Sequence, residues 1–203
     1  AAHVRAEFGE AVPVVLDGGD CAVGIESTIL DLSGAAPRIL RPGMLPRGRI
    51  EALIGPVEMG VAGDSPRASG TLDAHYAPRT PLLLLPRAAL AAEVAEQQAL
   101  GKRVAVLALG TLPNGVDGLA LPADATGYAH GLYAALRELD ARGARLLIAE
   151  RPPESAEWLA IHDRLRRSAF HRSVINAEMF DPQAAREAGF LDAVVPAEQL
   201  LEA

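Results

Sequence analysis

Short apolar runs alternate with helix-like segments between residues 82 and 167, and this alternation limits the fold more than any other feature. Three apolar runs have the length of strands buried on both faces: Leu82–Leu85, Arg103–Leu109 and Ala144–Ala149. Three segments have helical spacing of their apolar residues: Ala88–Leu100, Tyr128–Arg142 and Trp158–Arg167. The alternation predicts a small parallel α/β domain with right-handed crossovers.

The first 59 residues have a different pattern, dominated by β-prone segments. Pro13–Leu16 predicts a short strand that ends at the turn residues Asp17–Asp20. Residues Cys21–Leu32 are β-branched with a period of two, which predicts a strand with Ser27 as the polar residue on an apolar face. Arg38–Arg41 predicts the returning strand of a hairpin.

A helix and a linker are predicted after this hairpin. Apolar spacing predicts a helix over Pro46–Ile54, with Gly55 at its carboxyl end. Periodicity is lost between Gly60 and Arg79, where Gly, Ser, Pro, Asp and Arg dominate. We therefore divide the chain into residues 1–59, a linker at 60–80, an α/β domain at 81–169 and a tail at 170–203.

Charge and composition exclude several classes of function. The chain has 19 basic and 26 acidic residues, a net charge of −7, which offers no positive field for DNA or bulk RNA. No apolar run approaches the length of a membrane span. The single cysteine, Cys21, cannot form an internal disulfide, and we expect it to be a small buried residue of a cytoplasmic protein.

The candidate site lies on the predicted hairpin, since no P-loop, dinucleotide fingerprint or metal-ligand spacing is present. Ser27 and Arg41 stand on the two strands at a spacing that allows both to face one cleft. A hydroxyl can bond an amino acid or a nucleotide, and a guanidinium can bind phosphate. The alternative is structural, because Thr28 is typical of strands and an exposed Arg is usually solvated.

Three motifs in order carry a family resemblance: VGIEST at residues 23–28, LRPG at 40–43 and HYAP at 75–78. From the first residue to about Arg167, the chain resembles L-threonylcarbamoyladenylate synthases of the Sua5 type. The resemblance implies the C-terminal part of a YrdC-like α/β catalytic domain, a linker and a small Rossmann-like domain. It also implies synthesis of threonylcarbamoyl-AMP from L-threonine, bicarbonate or CO2, and ATP with Mg2+, which serves the modification of adenosine 37 in tRNA.

The resemblance also assigns roles to individual residues. Ser27 matches the serine that contacts threonine, and Arg41 matches the arginine that binds ATP phosphate. Tyr76 lies in the segment that closes over the nucleotide, where it can stack on the ligand or bond to it. Glu26 and Thr28 are expected to be structural.

The sequence departs from the family pattern at both ends. The Lys-x-Arg and Ser-x-Asn half of the catalytic domain is not found, so we expect a chain that begins inside a domain, needs that half as its partner and is inactive alone. The tail from about residue 170 resembles a piece of the enoyl-CoA hydratase (crotonase) superfamily, with the join between Ser168 and Ile175.

Two alternatives to the synthase stay open. The α/β domain, taken alone, is a non-catalytic module that binds a small ligand or a partner at its strand-end loops near Gly110 and Arg151. The other alternative follows the tail to acyl-CoA chemistry. ATP binding that depends on Arg41 favours the synthase, whereas binding confined to residues after Arg79 favours the module.

Overall fold

The computed structural model contains two separate β-sheets with helices packed against them. It describes residues 4–5, 8–63, 65–66, 68–69 and 78–175, the last six by their backbone alone. One sheet has three strands and the other four. The mixed α/β fold agrees with the sequence prediction.

The three-stranded sheet contains the predicted hairpin. Its elements are β1 (Ile29–Asp31), β2 (Arg38–Arg41), α1 (Arg47–Ile54) and β3 (Glu58–Met59). β1 and β2 are antiparallel, with Ile29 opposite Arg41, and β2 and β3 are parallel. Ile39, Ile50 and Val57 form the buried core of this sheet and its helix. The predicted hairpin and the helix that ends at Gly55 are confirmed.

Two strand predictions in this region are wrong. Residues 21–28 are irregular, and β1 begins only at Ile29. The reason is Gly24, whose φ of +79° interrupts any extended strand. Pro13–Leu16 is not a strand either, and Leu16 is 90% exposed. Cys21 is exposed, contrary to expectation, because the strand that would have buried it does not form.

The four-stranded sheet is wholly parallel, as the alternating pattern predicts, and its strand order is β4-β7-β5-β6. Its elements are β4 (Leu82–Leu85), α2 (Arg87–Ala99), β5 (Val104–Leu109), β6 (Gly118–Leu121), α3 (Ala125–Ala141), β7 (Leu146–Glu150), a 3-10 turn (Ala156–Trp158) and α4 (Leu159–Ile175). Only β6 has no counterpart in the sequence prediction.

Helices cover both faces of this sheet. α3 and α4 pack on one face around Tyr128, Leu132 and Ile161, and α2 packs on the other through Leu90 and Val94. Alternate residues of each strand enter the two cores, as the period of two requires. We call this sheet with its helices the α/β unit.

The α/β unit continues past the residues where the family core was expected to end. α4 runs to Ile175, and Ala169 is buried in the core beside Leu165. The expectation that the core is complete by Arg167 is therefore wrong, since the helix spans the whole expected join. Residues 176–203 of the crotonase-like tail lie outside the described residues. Within the described part of the chain, no helix has the length and apolar character that a bilayer span needs.

Candidate functional site

Arg41 and Ser27 are brought together at one end of the hairpin. The Nε of Arg41 donates to the carbonyl oxygen of Ser27 at 3.1 Å, and its Nη1 donates to the carbonyl oxygen of Ser69 at 2.9 Å. Arg41 is only 7% exposed, whereas Ser27 is exposed. The arginine is thus a buried guanidinium bonded to both the Ser27 segment and the Ser69 segment, in contrast to a solvated surface charge.

The turn after β2 holds the same segment from the other side. A Cβ atom on Gly43 would lie 2.2 Å from the backbone nitrogen of Thr28, so only glycine permits this approach. The hydroxyl of Thr28 donates to the carbonyl oxygen of Leu45 at 3.1 Å. The structural role expected for Thr28 agrees with this bond. The glycine of the LRPG motif therefore has a steric reason independent of any ligand.

Tyr76, the third residue predicted for the site, lies outside the described residues, as do His75 and Ala77. Its assignment to the nucleotide stays a prediction. The assignments of Ser27 to threonine and of Arg41 to phosphate also stay predictions.

The sequence did not reveal a charged cluster that joins this site to the α/β unit. The Nε of Arg164, on α4, donates to Oε2 of Glu26 at 2.6 Å, and its Nη2 donates to the carbonyl oxygen of Pro42 at 3.0 Å. Its Nη1 donates to Asp163 at 2.5 Å. The hydroxyl of Tyr133, on α3, also donates to Glu26. Sequence separation conceals the cluster, because 138 positions lie between Glu26 and Arg164.

The electrostatics of the cluster favour its charged forms. Burial raises the pKa of Glu26, but hydrogen bonds from Arg164, its own backbone and Tyr133, with the charge of Arg164, outweigh burial and leave the pKa below its ordinary value. Burial lowers the pKa of Arg164, and the bond to Glu26 and the nearby carboxylates raise it overall. Both groups are therefore ionised near neutral pH.

The described residues offer no ready-made metal centre. Among them, no three side chains of His, Cys, Asp or Glu lie close enough together to hold a metal ion. These residues therefore do not fit a metal held by the protein alone.

A cavity of about 550 Å3 opens between the two sheets. Ile39 and Met59 of the first sheet line one side. The α/β unit contributes Leu84, Arg151 and Arg166 among others, with Leu84 and Arg151 at the carboxyl end of its strands. The predicted strand-end position near Arg151 thus borders a real cavity, whereas Gly110 does not line it.

Comparison with known proteins gives this arrangement a context. A family model described as the C-terminal domain of threonylcarbamoyl-AMP synthase matches residues 45–170, more than half of the chain. The chain belongs to the threonylcarbamoyl-AMP synthase family. A second model, described as telomere recombination and named for Sua5, YciO and YrdC, matches residues 1–43. Neither match extends into the tail after residue 170, whose likeness to crotonases has no support from these models.

Individual relatives agree with the family assignment. The threonylcarbamoyl-AMP synthases of Pyrococcus abyssi (strain GE5 / Orsay) and Bacillus subtilis (strain 168) are each 32% identical to this chain over 185 residues. Each alignment covers 86% of this chain and 54% of the relative. The chain therefore spans about half the length of the curated relatives it matches.

A solved structure shares the fold as well as the sequence. The crystal structure of Pyrococcus abyssi Sua5 complexed with L-threonine superposes with a TM-score of 0.73 at 31% identity. The superposition covers 85% of this chain and 54% of that one. Synthase family members thus share both the sheets and their arrangement, which includes the contact between the hairpin and the α/β unit.

Proposed function

We propose that this chain forms part of an L-threonylcarbamoyladenylate synthase and supplies one wall of its substrate site. The observation that carries the proposal is the hydrogen bond from the Arg41 guanidinium to the Ser27 carbonyl. It places the residue assigned to phosphate next to the residue assigned to threonine, as a reaction between these two substrates requires. The L-threonine complex of a family member with the same fold supports threonine as one substrate.

The proposed reaction has two steps. The amine of L-threonine attacks CO2, or bicarbonate with loss of water, and a proton leaves the nitrogen as the carbamate forms. A carbamate oxygen then attacks the α-phosphorus of ATP, the bond from that phosphorus to the bridging oxygen breaks, and pyrophosphate leaves. The product, threonylcarbamoyl-AMP, serves the threonylcarbamoyl modification of adenosine 37 in tRNA, which places the protein in the cytoplasm.

The residues of this chain have separate roles in the proposal. Ser27, exposed beside the hairpin, bonds the threonine through its hydroxyl. Nε and Nη1 of Arg41 are already bonded, so its Nη2 is the donor that we assign to an ATP phosphate oxygen. Because one guanidinium cannot stabilise the whole transition-state charge, further cations are required. Mg2+ would arrive on the ATP phosphates, since the described residues form no metal cluster of their own.

An omission assay on the protein at its native length tests this function. Pyrophosphate release is measured with L-threonine, bicarbonate and Mg-ATP together, and with each one left out in turn. We expect release only when all three are present, and a lower rate with Ser27→Ala that excess threonine restores. Release that continues without threonine would refute the proposal.

The cavity favours a second candidate, a small-ligand site of the α/β unit. Its charged lining includes Arg151, Arg166 and Glu154, and it lies where open parallel sheets bind ligands. Titration with inorganic phosphate separates the candidates. Phosphate binding that is lost in Arg166→Ala and kept in Arg41→Ala would favour the second site, and the reverse would favour the synthase site.

A further inference from the structure

The segment that carries Ser27 is held by the α/β unit at three successive residues. Gly24 lies against α3, where an added Cβ would be 2.4 Å from the Cα of His130 and 2.7 Å from the carbonyl oxygen of Ala129. Ile25 is buried in the core of the α/β unit. Glu26 bonds to the side chain of Tyr133 on α3. The backbone just before Ser27 thus has its shape set by the second sheet and its helices.

Arg164 extends this hold to both strands of the site. Its guanidinium reaches Glu26, one residue before Ser27, and the carbonyl oxygen of Pro42, one residue after Arg41. The side chain is 3% exposed, and Asp163 occupies its remaining Nη. A planar guanidinium with three fixed directions determines the distance between its partners, which the single ammonium of a lysine cannot do.

We propose that Arg164 is a positioning residue that holds Ser27 and Arg41 at their working separation through Glu26 and Pro42. The inference rests on the proposed function and gives the α/β unit its part in it. That unit does not touch substrate through Arg164, but it aligns the two segments that do. Displacement of a substrate-contacting group by about 1 Å can cost about 100-fold in rate, so loss of this alignment has a measurable effect.

Arg164→Lys is the informative variant because it keeps the buried charge and loses the planar geometry. In the protein at its native length, we expect the KM for threonine to rise about 10-fold, with a smaller change in kcat. Amide hydrogen exchange of residues 24–28 and 41–43 should accelerate about 10-fold while the rest of the α/β unit is unchanged. Glu26→Gln, which keeps a bond acceptor, should shift both readouts in the same direction by less and replaces the lysine variant should that variant not fold.

Arg87→Lys is the matched control. Arg87 also pairs with a buried carboxylate of the α/β unit, Glu150, and shares no bonding partner with Glu26 or Pro42. This control should leave the threonine KM and the exchange of residues 24–28 unchanged.

The two readouts separate failure of this inference from failure of the proposed function. If the wild type shows no threonine-dependent turnover, the proposed function fails, and hydrogen exchange alone decides whether Arg164 aligns the two segments. Unchanged exchange in Arg164→Lys and Glu26→Gln would overturn the inference whatever the activity. Equal effects in Arg87→Lys would also overturn it, because a general loss of stability would then explain the result.

Discussion

Gly24→Ala would test how tightly the segment before Ser27 packs on α3. Gly24 has a φ of +79°, and the Cβ of an alanine there would lie 2.4 Å from the Cα of His130. The carbonyl oxygens of His130 and Ala129 are 2.6 and 2.7 Å from the same position. All three are backbone atoms, so no rotamer change relieves the overlap and either the segment or the helix must move.

The expected loss of stability has two parts. A left-handed backbone costs an L-residue about 1–2 kcal/mol. Forcing an extra methyl into a closely packed contact costs about 1–3 kcal/mol. Together they predict a loss of about 2–5 kcal/mol, which for a chain of this size is a shift of about 4–20 °C in the thermal midpoint.

Gly101→Ala is the control that isolates the backbone part. Gly101 has a φ of +74° and no neighbouring atom within 4 Å of an added Cβ, so this variant should lose only about 1–2 kcal/mol. Urea unfolding is followed by the fluorescence of Trp158, the single tryptophan, which is buried in the α/β unit. Equal losses in the two variants would refute a tight contact between Gly24 and α3.

Three further predictions concern the site. Because the pKa of Glu26 is lowered in the folded protein, its pair with Arg164 stabilises the fold above the ordinary carboxyl value of 4.5, and this stability is lost as the pH falls through the lower folded pKa. Urea unfolding against pH should show this loss in the wild type but not in Glu26→Gln. Arg41→Ala should weaken ATP use by about 1.5–3 kcal/mol, the worth of a charge-assisted hydrogen bond, while Ser27→Ala should mainly raise the threonine requirement in steady-state kinetics; the reverse assignment would contradict the roles. Gly43→Ala should raise the threonine KM because its Cβ would displace the backbone that follows Ser27; an unchanged KM would contradict this.

Local patterns predicted the α/β unit well. Leu82–Leu85 was predicted as a buried strand from an uninterrupted apolar run, and β4 has these bounds. β6 was missed because Gly118–Leu121 has neither β-branched residues nor length. Its pairing depends on the absence of a side chain at Gly118, where a Cβ would lie 2.0 Å from the carbonyl oxygen of Val106. Such a contact is made between strands and leaves no periodic signal.

The site was predicted in part for the same physical reason. The spacing of Ser27 and Arg41 placed them together correctly, since a hairpin is a local structure. The strand predicted through residues 21–28 failed because tertiary contact with α3 and α4 decides the conformation there. An isolated glycine within a β-branched run was the available signal, as it often marks a close backbone approach. Arg164 gave no such signal, since its partners are distant in sequence.

Isotope labelling of the product tests the central claim most directly. The protein at its native length is incubated with 15N-threonine, 13C-bicarbonate and Mg-ATP, and the nucleotides are analysed by mass spectrometry. We expect an AMP adduct that carries both labels, formed together with pyrophosphate and reduced in Arg41→Ala. ATP that is consumed without an adduct carrying both labels would contradict the proposal that this chain belongs to a working threonylcarbamoyl-AMP synthase.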